Sequence, residues 1–299
     1  MALFDILPLL PECPSIKIVD IGAMSLGVGT DPYQQLLETG LATVIGFEPN
    51  RIECEKLQEM AVEGRVYLPY AIGDGTRRTL HICNSSPTSS LLEPNLSLAD
   101  RFQNLGNLMQ VVSKEEVQTH RLDDLVEVQG ADFLKVDVQG GELDVFSGAH
   151  RLLAETLVIQ TEVEFVPLYK QQPLFSDIDL ELRRHGFLIH KFVGIMGRAF
   201  KPIIMNGDIN RMVSQMLWSD AVYLKNFMNF DNLNPQQLLK IAIILHVQYQ
   251  SVDLALVALC RYDAKKGTSV AIQYNEKLTG GKASVEVAHV LEKMSRPLH

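Results

Sequence analysis

Short β-branched runs alternate with helical patterns through the first three quarters of the chain, and this alternation constrains the fold more than any other feature. Strand patterns stand at "IKIVDI", "ATVIGFEPN", "VYLPYAIGDG", "ADFLKVDV" and "TLVIQTEVEFV", and helical patterns separate most of them. This order is typical of βαβ units, in which a crossover helix joins parallel strands. With two late strands at "LIHKFVGI" and "DAVYLKN", the sequence predicts an α/β fold with a doubly wound, mostly parallel sheet.

Turn and cap signals predict where several elements begin and end. Asp31, Pro32 and Gly40 are typical of the N-cap, the first residue and the C-terminal end of a helix after the first strand. The third strand pattern is expected to run on into the Gly-Asp-Gly turn at residues 73–75. The polar stretch 84–107 has the composition of a long functional loop or a disordered segment.

The last quarter of the chain has a helical pattern. Asn234-Pro235 is typical of a helix start, Ser251 of a second N-cap, and residues 283–294 of a third helix. We therefore expect a domain over residues 1–225 and a helical C-terminal extension over residues 226–299. Because the extension is too apolar for a linker, we expect it to pack on the sheet or on another copy of the chain, as in a homo-oligomer.

Composition argues against several protein classes. The 299 residues carry a net charge of −9, which disfavours a general nucleic-acid binder, because binding to the phosphate backbone needs clustered lysine and arginine. The four cysteines form no C-x-x-C pair, so neither a zinc site nor a thioredoxin-like motif is indicated. The apolar runs fall short of the roughly 20 residues of a membrane span, and "MALFDILPLLPECP" is a poor signal peptide. We expect a cytoplasmic protein.

The loop "DIGAMSLGVGT" follows the first strand, and its glycine spacing differs from the dinucleotide pattern G-x-G-x-x-G. A pyrophosphate group favours small residues and helix amides, whereas an acid directly before the glycines repels phosphate and attracts a cation. A sulfonium cofactor that carries an ammonium group suits this polarity. Asp20 and Gly22 are then the residues that indicate the kind of cofactor, while Gly27 and Gly29 are expected only to make an enlarged loop more flexible.

Acidic side chains stand at or just beyond the ends of the first four predicted strands of the sheet. They are Asp20, Glu48, Asp74 and Asp137. Because ligands of a doubly wound sheet bind at the carboxyl ends of its strands, these acids are expected to share one edge. Glu48 could accept hydrogen bonds from both ribose hydroxyls, and Asp74 from an adenine amino group. Taken singly, each acid could equally be a helix N-cap or a solvated loop carboxylate.

Six blocks within residues 16–224 resemble, in order and spacing, the FkbM family of S-adenosylmethionine-dependent methyltransferases. They are "VDIGAMSLGVGT", "VIGFEPN", "YAIGDG", "SSLLEPN", "THRLDDL" and, the most specific, "FLKVDVQGGELDVFSGA". The resemblance implies a class I methyltransferase fold, which is a Rossmann-like seven-stranded sheet with a reversed last strand. It also implies S-adenosyl-L-methionine as cofactor and methyl transfer usually to a hydroxyl oxygen. The chain departs from the family's pattern at Gln139, where a glutamate is common.

The resemblance and the strand-end acids together imply a cofactor site at the ends of these four strands, and no metal site is expected. The expected cofactor contacts are Asp20, Gly22, Ala23, Glu48, Pro49, Asn50, Ala71, Ile72, Asp74 and Asp137.

An alcohol acceptor needs a base that takes its proton close to the methyl end of the cofactor. Asp137 is the first candidate, although it could instead hold the backbone amides of the Gly140-Gly141 turn. His120, at a strand edge, and Glu162, on one face of the fifth strand, are further candidates.

The expected function is O-methylation of a hydroxyl on a small molecule, sugar or glycan. Arg198 and Lys201, on the long connection before the last strand, could clamp an anionic acceptor or could lie in a solvated loop. Two alternatives stay open. One is a catalytically weak, methyltransferase-like module for binding or assembly, which Gln139 and the apolar tail favour. The other is a nucleotide-dependent oxidoreductase, which the glycine spacing disfavours.

Overall fold

The structure of the protein is a computed structural model that describes residues 4–24 and 31–280. These residues form two compact units. One contains residues 17–24 and 44–225, and the other contains residues 4–16, 31–43 and 226–280. The helix expected at residues 283–294, Gly27 and Gly29 lie outside the described residues.

The described residues contain ten strands, seven of which form one sheet. They are β1 (Ile16–Ile21), β2 (Ala42–Phe47), β3 (Arg65–Leu68), β4 (Ala71–Ile72), β5 (Arg77–Cys83), β6 (Val111–His120), β7 (Phe133–Val136), β8 (Val158–Glu164), β9 (Phe187–Met196) and β10 (Trp218–Lys225). The strand order in the large sheet is β3-β2-β1-β7-β8-β10-β9, and β10 is antiparallel to both of its neighbours. This order confirms the predicted doubly wound, mostly parallel seven-stranded sheet with a reversed last strand.

The α-helices of the described residues lie between and after these strands. They are α1 (Gln34–Glu38), α2 (Arg51–Glu59), α3 (Leu96–Ala99), α4 (Leu105–Leu108), α5 (Glu142–Ser147), α6 (His150–Glu155), α7 (Phe175–Arg184), α8 (Pro235–Val247), α9 (Val252–Lys266) and α10 (Val270–Thr279). Each of these helices is too short or too polar to cross a lipid bilayer.

The central strands are apolar along their whole length because both faces of the sheet are covered. In β7, Phe133, Leu134 and Val136 have no exposed surface. Leu134 and Val136 belong to a core cluster that also contains Phe146 of α5 and Tyr223 of β10. This packing fixes the carboxyl ends of the central strands, where the expected site residues lie.

The third predicted strand is divided between two sheets, so the expectation of one continuous strand is wrong. β3 ends at Leu68, and β4 pairs with β6 in a separate three-stranded sheet of order β4-β6-β5. Pro69 stands between β3 and β4, and because proline has no amide hydrogen it cannot continue the hydrogen-bond ladder. The chain then continues into β5, which pairs with β6.

The polar stretch 84–107 is folded, and neither a loose loop nor a disordered segment describes it. It contains α3 and α4. Phe102 and Leu105 are buried in a second core cluster with Tyr169 and Leu217. This packing was not predicted from the sequence, because the apolar residues of the stretch stand among serines and asparagines.

The expected helix ends are met in part. Gly40 follows the last turn of α1 with a φ of +72°, as expected of a glycine at a helix C-terminus. However, α1 begins only at Gln34, and Asp31 contacts it through its carbonyl oxygen, 3.0 Å from the Gln34 amide. Ser251 stands directly before α9, but its side chain makes no capping hydrogen bond.

The helix α8 is buried along most of its length. Its buried residues include Leu238, Leu239 and every residue from 241 to 246. The imidazole of His246 lies 2.7 Å from the Tyr274 hydroxyl and 2.8 Å from the Phe4 carbonyl oxygen. This buried polar side chain of α8 therefore has hydrogen-bond partners. The apolar residues of α8 therefore pack within the chain, while contact of the extension with a second copy stays a prediction.

The start of α8 carries a capping box, which generates a stability prediction. Asn234 Oδ1 accepts from the Gln237 amide at 2.9 Å, and Gln237 Oε1 accepts from the Asn234 amide at 2.9 Å. We expect Asn234→Ala to lower the free energy of unfolding by about 1 kcal/mol in urea denaturation. Ser269→Ala is the matched control, because exposed Ser269 precedes α10 without a capping hydrogen bond. Equal losses in the two variants would contradict the capping role.

Candidate active site

A buried lysine joins the end of β1 to the end of β7. Lys135 Nζ lies 3.2 Å from Asp20 Oδ1 and 3.6 Å from Asp137 Oδ2, and it donates to the Gly22 carbonyl oxygen at 3.1 Å. Burial alone would lower the pKa of Lys135, but Asp20 and Asp137 outweigh burial and raise this pKa above its usual value. The side chain is therefore a cation in the folded protein.

This ion pair changes the electrostatics expected for the first loop. Asp20 lies opposite Lys135 in the parallel β1–β7 pair, so its charge is neutralised inside the protein. Contrary to the interpretation of the sequence, Asp20 is not an open negative charge before the glycines. Its role here is to hold Lys135, which in turn holds the Gly22 carbonyl group.

Gly22 marks a close approach between the first loop and the end of β7. Its φ is +79°, and a Cβ atom at this position would lie 1.9 Å from the Asp137 carbonyl oxygen. The amides of Gly22 and Ala23 both donate to the Phe47 carbonyl oxygen at 3.0 Å. Only glycine fits this position, which brings the ends of β1, β2 and β7 together.

Glu48 follows β2 and is buried, with 5% of its surface exposed. Its Oε1 accepts from the Asn50 amide at 2.7 Å, across Pro49. Burial raises the pKa of Glu48 to about 7 against the opposing effect of the Asn50 hydrogen bond. Asn50 itself caps α2, since its Oδ1 accepts from the amides of Ile52 and Glu53 at 3.0 and 3.3 Å. Glu48 is thus the acid of this turn that has acceptor capacity left for a ligand.

Ala71 and Ile72 form the short strand β4 and are buried, and Asp74 lies just beyond it. The Asp74 carboxylate accepts from the Thr76 amide at 2.9 Å and from Arg78 Nη2 at 2.6 Å. Burial would raise the pKa of Asp74, but the hydrogen bonds from Thr76 and Arg78 outweigh it and lower this pKa to about 2. Asp74 is therefore ionised and already engaged in holding its own turn.

Gln139 connects two carboxyl groups at the carboxyl edge of the sheet. Its Nε2 donates to Asp137 Oδ1 at 2.9 Å and to Glu162 Oε2 at 2.6 Å. Its Oε1 lies 3.0 Å from the Tyr169 hydroxyl group. Gln139 has a φ of +58°, which turns the backbone sharply after β7. The residue that departs from the family's pattern therefore lies at the centre of a side-chain network.

Three further acids lie around this network: Glu142, Glu164 and Asp220. Glu142 Oε1 accepts from the Val138 and Gly140 amides at 2.9 and 3.1 Å. The role of holding the glycine turn, considered for Asp137, thus belongs to Glu142. Burial raises the pKa of Glu142 to about 7 and that of Asp220 to about 6.

Glu162 and Glu164 share one face of β8, as their alternation in the sequence predicts. Burial, followed by the charges of the neighbouring acids, raises the pKa of both side chains well above the usual value. A carboxyl group of this kind holds its proton at a pH at which ordinary glutamates are ionised. Once ionised, such a carboxylate is a stronger base than an ordinary glutamate.

His120, the third candidate base, lies in a different part of the same unit. It ends β6 and pairs with Ile72 of β4. Its ring lies 4.8 Å from the Tyr70 ring, measured between centroids. The structure thus places His120 beside Ile72 and Tyr70, and the carboxyl network is built from other side chains.

Arg198 and Lys201 both lie on the connection between β9 and β10, in different environments. Arg198 donates to the Gly197 and Asn210 carbonyl oxygens at 2.9 and 3.2 Å, and its guanidinium lies 5.2 Å from the centre of a Trp218 ring. Lys201 has a side chain that is 47% exposed, with Nζ 3.9 Å from Asp100 Oδ1. Lys201 is accordingly more accessible to an acceptor than Arg198.

The same connection carries exposed apolar side chains at the carboxyl edge of the sheet. β9 and β8 are both antiparallel to β10, so they run in the same direction, and the chain leaves β9 at the edge where Glu164 ends β8. The large apolar residues of the connection that are at least two-fifths exposed are Phe200, Ile203, Ile204, Met205, Ile209 and Val213.

Several residues of the site were not found from the sequence. Lys135 is one, although a lysine within the apolar run "FLKV" signals a buried charge that needs a partner. Tyr169 and Asp220 gave no such signal, because their partners lie far away in sequence: Tyr169 is 30 residues from Gln139 and Asp220 is 60 from Gln160.

A model of the methyltransferase FkbM domain matches residues 20–189, which is more than half of the chain. The chain belongs to the FkbM methyltransferase family. The methyl donor of this family is S-adenosyl-L-methionine, which is therefore the cofactor of this protein. No curated protein matches the chain at a significant level.

Two solved structures are similar to this FkbM methyltransferase at low sequence identity. One is magnesium protoporphyrin IX methyltransferase from Synechocystis PCC 6803 with bound S-adenosylmethionine, at 12% identity and a TM-score of 0.37, with 72% of each chain covered. The other is a putative methyltransferase from Thermoplasma acidophilum, at 9% identity and a TM-score of 0.36, with 71% of this chain and 69% of that chain covered.

The close approach at Gly22 generates a second stability prediction. Gly22→Ala adds a Cβ atom 1.9 Å from a carbonyl oxygen at a φ of +79°. Gly130→Ala is the matched control, because Gly130 has a φ of +72° and nothing within 4 Å of an added Cβ. We expect Gly130→Ala to cost about 1 kcal/mol of unfolding free energy and Gly22→Ala at least about 3 kcal/mol. Similar midpoints of urea unfolding for both variants would refute the tight contact.

Proposed function

We propose that this FkbM methyltransferase transfers the methyl group to a hydroxyl oxygen of a small molecule, sugar or glycan. The observation that carries the proposal is Glu162, a largely buried carboxyl group held by Gln139 at the carboxyl edge of the sheet, whose pKa is raised well above the usual value. A hydroxyl acceptor needs such a group, because its proton must leave as the oxygen attacks.

The residues at the strand ends fit the proposed cofactor. Buried Glu48 accepts one amide hydrogen bond and has lone pairs left for the two ribose hydroxyls. The Gly22 turn offers a backbone surface without a side chain beside the Asp137 carbonyl group. S-adenosylmethionine supplies an electrophilic methyl group on a sulfonium sulfur. We assign Asp20 and Asp137 to the positioning of this turn through Lys135, with Ala71 and Ile72 as apolar contacts.

In the proposed step, Glu162 acts as the general base. Its ionised form would take the proton of the acceptor hydroxyl, and the electron pair of the O–H bond would stay on oxygen. That oxygen would form the new bond to the methyl carbon as the bond from this carbon to the sulfonium sulfur breaks, and the electron pair of the broken bond would stay on sulfur as S-adenosylhomocysteine leaves. Gln139 orients the receiving carboxylate by donating to Glu162 Oε2, 2.6 Å away. Asp137 raises the pKa of Glu162, second to burial, and so makes it a stronger base.

The connection between β9 and β10 supports an acceptor with an apolar part. Ile203 and Ile204 are about half exposed on this connection. Lys201, which is accessible on the same connection, would contact an anionic group of the acceptor. A sugar or glycan that is attached to an alkyl chain and carries a phosphate or carboxylate has both properties.

A reducing compartment, such as the cytoplasm, is our proposal for the location. All four cysteines are unpaired, although Cys13 is exposed. Free exposed thiols are kept reduced in the cytosol.

Cofactor binding tests the role of Glu48. Because the pKa of Glu48 is about 7, its carboxylate is present above that pH and is replaced by the neutral acid below it. We expect the affinity for S-adenosylhomocysteine, measured by calorimetry, to fall roughly tenfold from pH 8 to pH 6. Glu48→Gln should bind weakly at both values, since its neutral amide imitates the protonated acid. Wild-type binding that is absent, or that Glu48→Gln leaves unchanged, would contradict the cofactor site.

The pKa of Glu162 tests the proposed base. In protein with ¹³C-labelled glutamate, we expect several side-chain carboxyl resonances to titrate above the usual glutamate range, since Glu48, Glu142 and Glu164 also have raised pKa values. The resonance that is missing in Glu162→Gln is that of Glu162, and it should titrate well above that range. Gln139→Glu should shift the titration of Glu162 to still higher pH, because it places another acid between Asp137 and Glu162. Gln118→Glu on the exposed side of β6 is the matched control and should leave it unchanged. An ordinary pKa for Glu162 would contradict its role.

Turnover tests the acceptor class. Paired acceptors that carry the same hydroxyl group with and without an alkyl chain are incubated with S-adenosylmethionine, and gain of a methyl group is measured by mass spectrometry. We expect the alkylated member of a pair to be methylated faster, and Glu162→Gln to lower that rate by roughly 10²–10⁴-fold. Methylation at nitrogen or carbon in preference to oxygen would refute O-methylation.

A further inference from the structure

Two histidines and a glutamate converge where the start of α6 meets the end of α7. His150 is the first residue of α6, Glu181 lies in the last turn of α7, and His185 follows that helix. One ligand atom from each side chain lies within 4.8 Å of the other two. The rings of His150 and His185 lie 5.0 Å apart between centroids. We propose that these three residues bind a zinc ion.

The donor set is the one that zinc prefers. Two imidazole nitrogens and one carboxylate oxygen provide three protein ligands, and water can take the fourth tetrahedral position. In such a site the donor atoms lie about 3.4 Å from one another, given zinc–ligand distances of about 2.1 Å. His185 Nε2 and Glu181 Oε1 are already 3.1 Å apart. Because His150 is exposed, rotation of its side chain can bring in the third donor.

Arg184 helps to position the Glu181 carboxylate as a ligand. Arg184 Nη1 donates to Glu181 Oε2 at 2.9 Å, which directs the other oxygen towards the imidazole. An outer partner that orients a ligating carboxylate is a regular part of metal sites.

The site lies away from the proposed reaction centre. His185 comes two residues before Phe187, which begins β9 and pairs with Lys225 at the end of β10. Since β9 runs parallel to β8, this is the amino edge of the sheet, whereas Glu162 and Asp137 lie towards the carboxyl edge. The metal therefore has a structural role, and its binding does not depend on the proposed methyl transfer.

Lys225 shows what the metal would add. Its Nζ donates to the Leu153 carbonyl oxygen of α6 at 2.7 Å and lies 3.4 Å from the His185 carbonyl oxygen. This lysine already connects α6 to the turn after α7 through backbone groups. A zinc ion on His150, Glu181 and His185 makes a second connection between the same elements through their side chains.

Metal titration of the full-length protein tests the proposal. After removal of metal with a chelator, the protein is titrated with zinc chloride by calorimetry and with cobalt chloride by visible absorption. We expect one equivalent to bind, with the intense d–d bands of tetrahedral cobalt and a higher midpoint of thermal unfolding in zinc. His150→Ala, Glu181→Gln and His185→Ala should each weaken zinc binding by more than about tenfold. His190→Ala, which removes a histidine outside the cluster, should bind as the wild type does.

Two results would overturn the zinc site. One is the absence of saturable binding at one equivalent, and the other is binding that the three cluster variants and His190→Ala affect alike. His150→Ala carries the test if His185→Ala fails to fold, because exposed His150 leaves the core unchanged when it is truncated. Circular dichroism of each metal-free variant checks that its fold is retained.

Discussion

The ion pair centred on Lys135 is the interaction on which the carboxyl edge of the sheet depends. Its ammonium group neutralises Asp20, contacts Asp137 and holds the Gly22 carbonyl group, so it joins β1 to β7 at the point where strand order reverses. An unpaired charge buried there would cost several kcal/mol. The glycine at position 22 then becomes necessary, because the two strand ends approach too closely for a side chain.

The acids around Gln139 show how the chain accommodates its departure from the family's pattern. An amide can donate to two carboxyl groups and accept from a hydroxyl at once, as Gln139 does with Asp137, Glu162 and Tyr169. A glutamate at this position could donate only in its protonated form. The glutamine is therefore built into the network of acids.

The sequence predicted the sheet well because each strand carries its own signal. Local sequence is enough to recognise apolar β-branched runs, the helical patterns between them and the acids at their ends. For example, "IKIVDI" coincides with β1. The failures arose where long-range contacts decide the structure. After Pro69, β4 pairs in another sheet. Single apolar residues of the stretch 84–107 pack against Tyr169 in the second core cluster.

The candidate site was predictable in position and less so in chemistry. Strand-end acids located the edge, but the charge of Asp20 depends on Lys135, which lies 115 residues away. Glu162 was predicted from its face of β8, while the raised pKa that supports its role as a base comes from burial and from neighbours on other strands. Pairings of this kind are set by strand register, which a single sequence does not specify.

A crystal structure with S-adenosylhomocysteine bound tests the central claim most directly. We expect the Glu48 carboxylate to accept hydrogen bonds from both ribose hydroxyls and the Lys135 ion pair to stay intact beneath the Gly22 turn. We also expect the cofactor sulfur to face the side of the sheet on which Gln139 holds Glu162. A ligand whose ribose lies away from Glu48, or whose sulfur faces away from Glu162, would contradict this claim.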